Sequence, residues 1–284
     1  MPDLQPFYKQ VQAHYDLSND FFALFLDPSM TYSCAYFEPP DVSLAQAQRN
    51  KIDLALGKLD LKPGQRLLDI GCGWGAAVRR AVEHYGVTAV GLTLSRAQHD
   101  LARERLADLG DKVEIRLQGW EEFDEPVDRI VSIGAFEHFR EERFAAFFEK
   151  CRRLLPADGR LLLHTIVKRS LAEINALGLE VTHEDVLFNK FILKTIFPGG
   201  QLRPAEVVRK YAEAGGFRVE RVHSLRPHYA RTLDAWAVNL EAARERAVAL
   251  TSPQVYDTYM HYLTGCARYF RSGHLDVIQF TCCR

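Results

Sequence analysis

No apolar run in this sequence approaches the roughly 18 residues that a bilayer-spanning helix needs, so no transmembrane segment is expected. The opening residues, Met1-Pro2-Asp3-Leu4-Gln5-Pro6, lack a basic stretch followed by an apolar one, and no signal peptide is read there. Charge of one sign is not in excess either. The 36 Lys and Arg stand against 37 Asp and Glu, a net of -1, which gives no global attraction to nucleic acid or to an anionic membrane surface. The six cysteines, at 34, 72, 151, 266, 282 and 283, form no C-x-x-C pair. Without a secretion signal they read as reduced thiols, and the expected compartment is cytoplasmic. Metal and hydrolase motifs are missing too, so no metal site is expected. There is no H-E-x-x-H, His183-Glu184-Asp185 has no partner at ligand spacing, and neither G-x-S-x-G nor a Walker loop occurs.

What the sequence does have is a turn. An apolar run, Arg66-Leu67-Leu68-Asp69-Ile70, breaks at Gly71-Cys72-Gly73-Trp74-Gly75 and is followed by a helix-compatible stretch. Glycines lack a Cβ and tolerate positive φ, so a ligand can come close to this backbone. A dinucleotide fingerprint places its third glycine wider and an acid about 20 residues on, to hold the ribose. Here the next strand ends Val90-Gly91-Leu92-Thr93-Leu94-Ser95 with no acid, while Asp69 precedes the glycines. The turn therefore favours S-adenosylmethionine over NAD, with Asp69 placed to meet a cationic or hydroxyl-bearing ligand.

Around the turn, strand and helix patterns alternate. Strands are predicted over 66–70, 88–92, 113–118, 129–133 and 160–165, with helices over 76–85, 96–109 and 141–155. That alternation implies a parallel sheet of βαβ units. Later strands are predicted over 217–222 and 275–281, separated by helical stretches 233–250 and 254–271, which suits a sheet closed by a reversed last strand. The segment from Asp20 to Asp27 and the row Tyr256, Tyr259, Met260, Leu263, Ala267, Phe270 carry bulky apolar side chains. Such stripes serve as core or as the lining of an apolar channel.

Chemistry-bearing side chains collect at the carboxyl ends of predicted strands, where open α/β sheets bind ligands. Glu137 and His138 follow strand 129–133, and His164 ends strand 160–165. Trp120 and Glu121 follow strand 113–118, an indole and an acid that suit the face and amino group of an adenine. By elimination the chemistry is group transfer from a bound nucleoside cofactor.

With those residues in view, the chain closely resembles the mycolic acid cyclopropane synthases, relatives of bacterial cyclopropane fatty acid synthase. The resemblance runs almost end to end. Its most specific stretches are His14-Tyr15-Asp16-Leu17-Ser18, Leu26-Asp27-Pro28, Thr31 to Phe37, Leu68 to Gly75, Gly91 to Ser95, Ser132 to Phe139, Phe197 to Gly200, Pro227-His228-Tyr229 and Tyr262 to Cys266. It implies a Rossmann-like class I methyltransferase: an α/β fold with a mostly parallel seven-stranded sheet, an antiparallel last strand, an N-terminal helical lid and helical insertions forming an acyl channel. A single domain over 1–284 is expected, with the lid at 1–60, the cofactor core at 61–166 and acyl-site helices and closing strands at 167–284.

The resemblance also implies residue roles. Tyr32 and Ser33 would contact the methionine end of S-adenosylmethionine, and Leu67, Leu68, Asp69, Ile70, Gly71, Cys72, Gly73, Trp74 and Gly75 would wrap its amino acid and ribose. Thr93, Leu94, Ser95, Arg96, Ala97 and Gln98 would meet the ribose hydroxyls. Trp120 and Glu121 would meet the adenine, with Ile133 nearby. Bicarbonate would be held by Cys34 through its backbone N–H, by Glu137, His164 and Tyr229, and Cys266 corresponds to the family's active-site cysteine. The implied reaction moves the sulfonium methyl to a carbon–carbon double bond of a long unsaturated acyl chain. The carbocation then loses a proton to bicarbonate and closes a cyclopropane ring. The same cation can instead end as a methyl-branched alcohol or alkene. An acyl carrier protein would present the chain, with Lys9 and Arg49-Asn50-Lys51 as candidate basic contacts. Two rivals stay open: a small-molecule N- or O-methyltransferase, which needs no lid, and a cofactor-binding protein without catalysis.

Overall fold

The computed structural model describes residues 4–7 and 18–284, so Lys9 and the His14 to Leu17 part of the first motif lie outside the described residues. Among the described residues the strands form one seven-stranded sheet. They are β1 (Arg66–Ile70), β2 (Thr88–Thr93), β3 (Val113–Leu117), β4 (Arg129–Ile133), β5 (Arg160–Lys168), β6 (Arg218–Ser224) and β7 (Leu275–Cys283), in the order β3-β2-β1-β4-β5-β7-β6. The first five run parallel, and β7 pairs antiparallel with both β5 and β6. β1 and β4 are buried along nearly their whole length, as expected of central strands covered by helices on both faces. Strand order reverses between β1 and β4, and the glycine turn leaves the sheet at that point, where ligands of open α/β sheets bind.

Two separate apolar cores lie on the faces of this sheet. Ile70, Leu92, Ile130, Phe136, Phe147 and Leu163 belong to one. Leu67, Val78, Ala81, Ala89, Val131 and Leu162 belong to the other. A third core joins the N-terminal segment to the late helices: Phe21, Phe22 and Phe25 pack with Trp74, Trp236 and Tyr259. Ring pairs such as Phe21–Tyr259 at 4.9 Å and Phe22–Trp74 at 5.5 Å tie that segment over the glycine turn. Between its two helices, Asn19–Ala23 and Leu44–Gly57, the lid is mostly irregular.

Several predicted boundaries move, each for a local reason. The helix expected over 96–109 ends at Arg105, and a 3-10 segment Ala107–Lys112 follows, kinked at Gly110. The helix expected from 233 begins a full two turns earlier, at Arg226, and stops at Ala242, with a second helix Arg244–Leu250 after the break. Pro227 explains the early start, because its missing N–H costs nothing in the first turn. That start places Tyr229 on a helix anchored behind β6. Helices Leu171–Ala176 and His183–Phe191, continued by a π-helical turn Ile192–Ile196, occupy a region in which no element is predicted.

The apolar stripe of the long helix Pro253–Ser272 resolves clearly. Tyr256, Tyr259, Leu263 and Ala267 belong to the core, and of that row Phe270 alone lines a cavity. The neighbouring row, Tyr262, Cys266 and Tyr269, faces the cavity instead.

Candidate functional site

Two cavities meet above the carboxyl ends of the central strands. The first is lined by the glycine turn, the ends of β2 and β4, and the lid. Asp69, Ile70, Gly71, Cys72, Gly73, Trp74, Thr93, Leu94, Gln98, Trp120, Glu121, Ile133, Tyr32 and Ser33 all border it. Leu67, Leu68, Gly75, Ser95, Arg96 and Ala97 do not. Leu67 and Leu68 lie earlier in β1 and are wholly buried in the two sheet cores. Gly75 caps the helix Ala76–Tyr85 at φ 87, and a Cβ there would come within 2.6 Å of Leu106. Ser95 caps the next helix, its hydroxyl accepting from the Gln98 amide, and so turns Gln98 inward. Arg96 and Ala97 form that helix's first turn, away from the lining.

The close approach at the turn rests on Gly71. Its φ is +85, and an added Cβ would lie 2.4 Å from the Ala135 Cβ. Gly71→Ala is expected to destabilise the fold by about 1–3 kcal/mol through this left-handed strain alone, with the clash adding to it. A thermal denaturation curve superimposing on that of the parent would contradict this packing.

Charge is concentrated at one end of this cavity. Burial pushes the Asp69 carboxyl up to about 7, with Lys51 opposing the shift. Burial pushes the Lys51 ammonium down to about 8, against the attraction of Cys34, Asp27 and Asp69. Lys51 donates to the Ser33 hydroxyl at 2.7 Å and is only 1% exposed. This corrects its assignment to a basic surface patch: the helix Leu44–Gly57 turns it inward under the lid, and Arg49 has no such role. The other end is aromatic. Trp120 packs on Phe139 and Phe147, and its indole N–H is buried without a partner. Glu121 takes a 2.8 Å bond from Arg143 on one carboxylate oxygen, while the other is buried and unpaired. Phe7, under the guanidinium groups of Arg140 and Arg143, borders the same end. Phe7 and Lys51 have no local sequence signature, since both reach the site from the N-terminal segment by tertiary packing.

The second cavity, about 460 Å³, adjoins the first. Both are bordered by Tyr32, Ser33, Gly134 and His138. Cys34, Glu137, His164, Tyr229 and Cys266 all line the second. Its remaining wall is largely apolar, with Ile166, Phe188, Ile192, Leu193, Phe197, Leu233, Phe270 and Val277. Of its lining residues Leu193 is exposed, as are Val186 and Leu187 on the helix His183–Phe191, which supplies Asp185, Phe188 and Asn189 to the wall.

Burial raises the Glu137 carboxyl above its ordinary range. One oxygen accepts from the Ile166 N–H at 2.7 Å, and the other is buried without a partner. Burial holds His164 well below the usual imidazole range, and its Nε2 is likewise buried and unpaired. Tyr229 is raised by burial and by the neighbouring Cys34, Tyr32, Glu137 and Cys266. Burial pushes the Cys266 thiol up to about 12 and raises Cys34 further, so both are thiols, not thiolate nucleophiles. Tyr262, which opens the motif Tyr262 to Cys266 but has no site role implied by it, also borders the cavity and accepts a bond from the Tyr32 hydroxyl at 3.2 Å. Among the described residues no group of three or more His, Cys, Asp or Glu is placed to hold a metal ion.

A glycine turn at the switch point of this sheet, with a nucleoside-sized cavity around it, defines a class I S-adenosylmethionine-dependent methyltransferase. More closely, the family profile of mycolic acid cyclopropane synthetase matches residues 3–280, and the chain belongs to that family. It is 59% identical over 280 residues to cyclopropane mycolic acid synthase 3 of Mycobacterium tuberculosis, covering 98% of each chain. It is 54% identical over 283 residues to the S-adenosylmethionine-dependent methyltransferase UmaA of the same organism, covering 99% of each. Among solved structures, mycolic acid cyclopropane synthase CmaA1 complexed with SAH and CTAB superposes with a TM-score of 0.96 at 56% identity, over 99% of this chain and 100% of that one. Coclaurine N-methyltransferase shares the fold at a TM-score of 0.80 and 20% identity, over 97% of this chain and 82% of that one.

Proposed function

We propose that this enzyme transfers the methyl group of S-adenosylmethionine to a carbon–carbon double bond in a long unsaturated acyl chain of mycolic-acid type, closing a cyclopropane ring. The observation that carries this reading is the joining of the two cavities. A site that holds Asp69 and Lys51 in its wall lies against an apolar chamber, and Tyr32, Ser33, Gly134 and His138 border both. CmaA1, the 56% identical relative, was crystallised with SAH and with the detergent CTAB, which supports a cofactor in the first cavity and an alkyl chain in the second. Residues from the lid and the cofactor core border both cavities, and the late helices complete the wall of the second.

The bound cofactor supplies an electrophilic methyl on a sulfonium. Asp69 and Lys51 then suit the ammonium and carboxylate of its methionine end, with Ser33 between them, and Tyr32 closes over it. Trp120, Glu121 and Phe7 suit the adenine. The acyl chain lies in the apolar chamber, where Phe197, Tyr229, Tyr262 and Phe270 offer ring faces to a developing cation and keep water away.

Bicarbonate, when bound, supplies a small base beside the reacting methyl. The residues fit such an anion: burial favours the neutral form of Glu137, which in that form donates as His164 and Tyr229 do, all three border one chamber, and Cys34 adds its backbone N–H. Cys266 shapes the wall as a neutral thiol. The exposed apolar side chains between 186 and 193 suit the approach of a chain delivered by an acyl carrier protein, with Lys190 and Lys194 beside them. Cytoplasmic action is part of this proposal.

A methyl-branched alcohol or alkene is the second reading, because the same cation can be captured by water or lose a proton from the chain after a hydride shift. Methyl-deuterated cofactor separates them. A cyclopropane keeps two of the three methyl deuterons, since one leaves to the base; the branched products keep all three. Mass spectrometry of an olefinic acyl-carrier probe is expected to show two. Three would replace cyclopropanation by the branched outcome, and label found solely in a polar N- or O-acceptor would overturn the lipid reading.

A further inference from the structure

Pairing across the sheet lines up three polar residues that share one row. In the ladder, His164 on β5 faces Gln279 on β7, and Gln279 faces His223 on β6. Directly paired residues present their side chains on the same face. Lys58, which caps the helix Leu44–Gly57, reaches the middle of that row from outside the strands. Its ammonium donates to Gln279 Oε1 at 2.5 Å and meets His223 Nδ1 at 3.0 Å.

This contact settles which way the amide points. An ammonium has donors and no acceptor, so the Gln279 carbonyl must face Lys58. The amide NH2 is then turned to His164, where Nε2 of Gln279 lies 3.3 Å from Nδ1. An amide NH2 cannot accept, so Nδ1 of His164 must be the acceptor. In a neutral imidazole the proton then sits on the other nitrogen. That nitrogen, Nε2, is the buried atom without a protein partner, on a residue that lines the second cavity. Gln279 is wholly buried and His164 1% exposed, so water does not compete for either contact. Burial and Arg221 push Lys58 down to about 8, which leaves it an ammonium at neutral pH.

We infer that Gln279, oriented by Lys58, is a positioning residue that locks His164 in its Nε2–H tautomer so that the imidazole donates into the catalytic chamber. The catalytic consequence rests on the methyl-transfer reading above; the tautomer itself does not. Both partners lie outside the cavity lining and far from the motifs, on β7 and at a helix end.

The test uses imidazole nitrogen-15 NMR of the full chain, with the His164 signal assigned by its loss in His164→Asn. In the parent protein the expected pattern is a protonated Nε2 and an unprotonated Nδ1. Gln279→Glu keeps the shape and the Lys58 contact but requires Nδ1 to donate, so the pattern should invert or become doubly protonated. Lys58→Met frees the amide to turn over, giving a mixture of tautomers, and this half-exposed position tolerates change if the buried variant fails to fold. Turnover of an olefinic acyl probe at saturating cofactor should fall roughly 100-fold in Gln279→Glu, within the range seen when a catalytic imidazole is held in the wrong tautomer or loses proton transfer. KM for the cofactor should be unchanged. Protonated Nδ1 in the parent overturns the lock. An inverted tautomer with unchanged turnover overturns its catalytic consequence. A parent protein that shows the expected tautomer and yet leaves the olefin untouched overturns the methyl-transfer reading and leaves the lock standing.

Discussion

Replacing Glu137 by alanine is expected to lower turnover by about 10²–10⁴-fold, the range associated with losing a positioned proton-transfer group, while glutamine retains most of the activity. The asymmetry follows from the two carboxyl oxygens. One is committed to the Ile166 N–H, and the other is buried without a protein partner beside a cavity that suits an anion. A carboxylate there would repel the anion; a neutral carboxyl donates to it. Burial raises the Glu137 pKa, so the neutral form persists above the ordinary carboxylate range. The sign of the pH dependence is then set. Activity at saturating cofactor is present below the raised pKa and falls as pH climbs through it and the proton is lost. Glutamine mimics the neutral acid, keeping an acceptor for Ile166 and a donor for the anion, and should lack that alkaline limb. A pH profile of kcat for both proteins decides the matter: an identical limb in the glutamine variant, or an alanine variant within a few-fold of the parent, would exclude Glu137 from this role.

Cofactor affinity is expected to peak between pH 7 and 8, bounded by Asp69 on the acid side and Lys51 on the alkaline side. Asp69 carries its raised pKa near 7 because burial disfavours the charge, and it meets a cationic group well only when ionised. Affinity should therefore rise with pH through about 7. Lys51, pushed down to about 8, is an ammonium below that pH and loses its attraction for a carboxylate above it. Asp69→Asn is expected to weaken cofactor binding about 10–100-fold near pH 8 and to abolish the acid limb, given about 1.5–3 kcal/mol for a hydrogen bond to a charged group. Lys51→Met should abolish the alkaline limb instead. Isothermal titration across pH 6 to 9 reads both, and a bell unchanged in either variant would show that the pair does not hold the methionine end.

Much of this architecture is legible in the chain order of residues. The run from Arg66 to Gly75 carries strand, turn and helix start in consecutive positions, because period, glycine and capping are local properties. Glu137, His164 and the Trp120-Glu121 pair could be placed at one edge of the sheet because strand ends in a βαβ array share a side. Less legible was which side of a helix faces what. The stripe of the helix Pro253–Ser272 is strong in sequence, yet it marks the core; the cavity face is the adjacent row, and periodicity cannot distinguish two apolar environments. Lys51 is a similar case: a lysine in a charged helix reads as surface until the lid folds over it.

The sequence by itself determined the class of cofactor, the succession of strands along the chain through β5 and the identity of the polar residues at their ends. Those features rest on interactions within a few residues or on a repeating unit, and each can be read in place. Tertiary structure alone decided that the two cavities join at Tyr32, Ser33, Gly134 and His138, that Phe7 and Lys51 enter the first, and that Gln279 and Lys58 stand behind His164. These pairs are separated by 115 and 221 residues along the chain. Only the insertion of the antiparallel β7 between β5 and β6 brings Gln279 beside His164, and the packing of the lid helix brings Lys58 to meet it. Their chemistry depends on a register and a burial that no local pattern encodes.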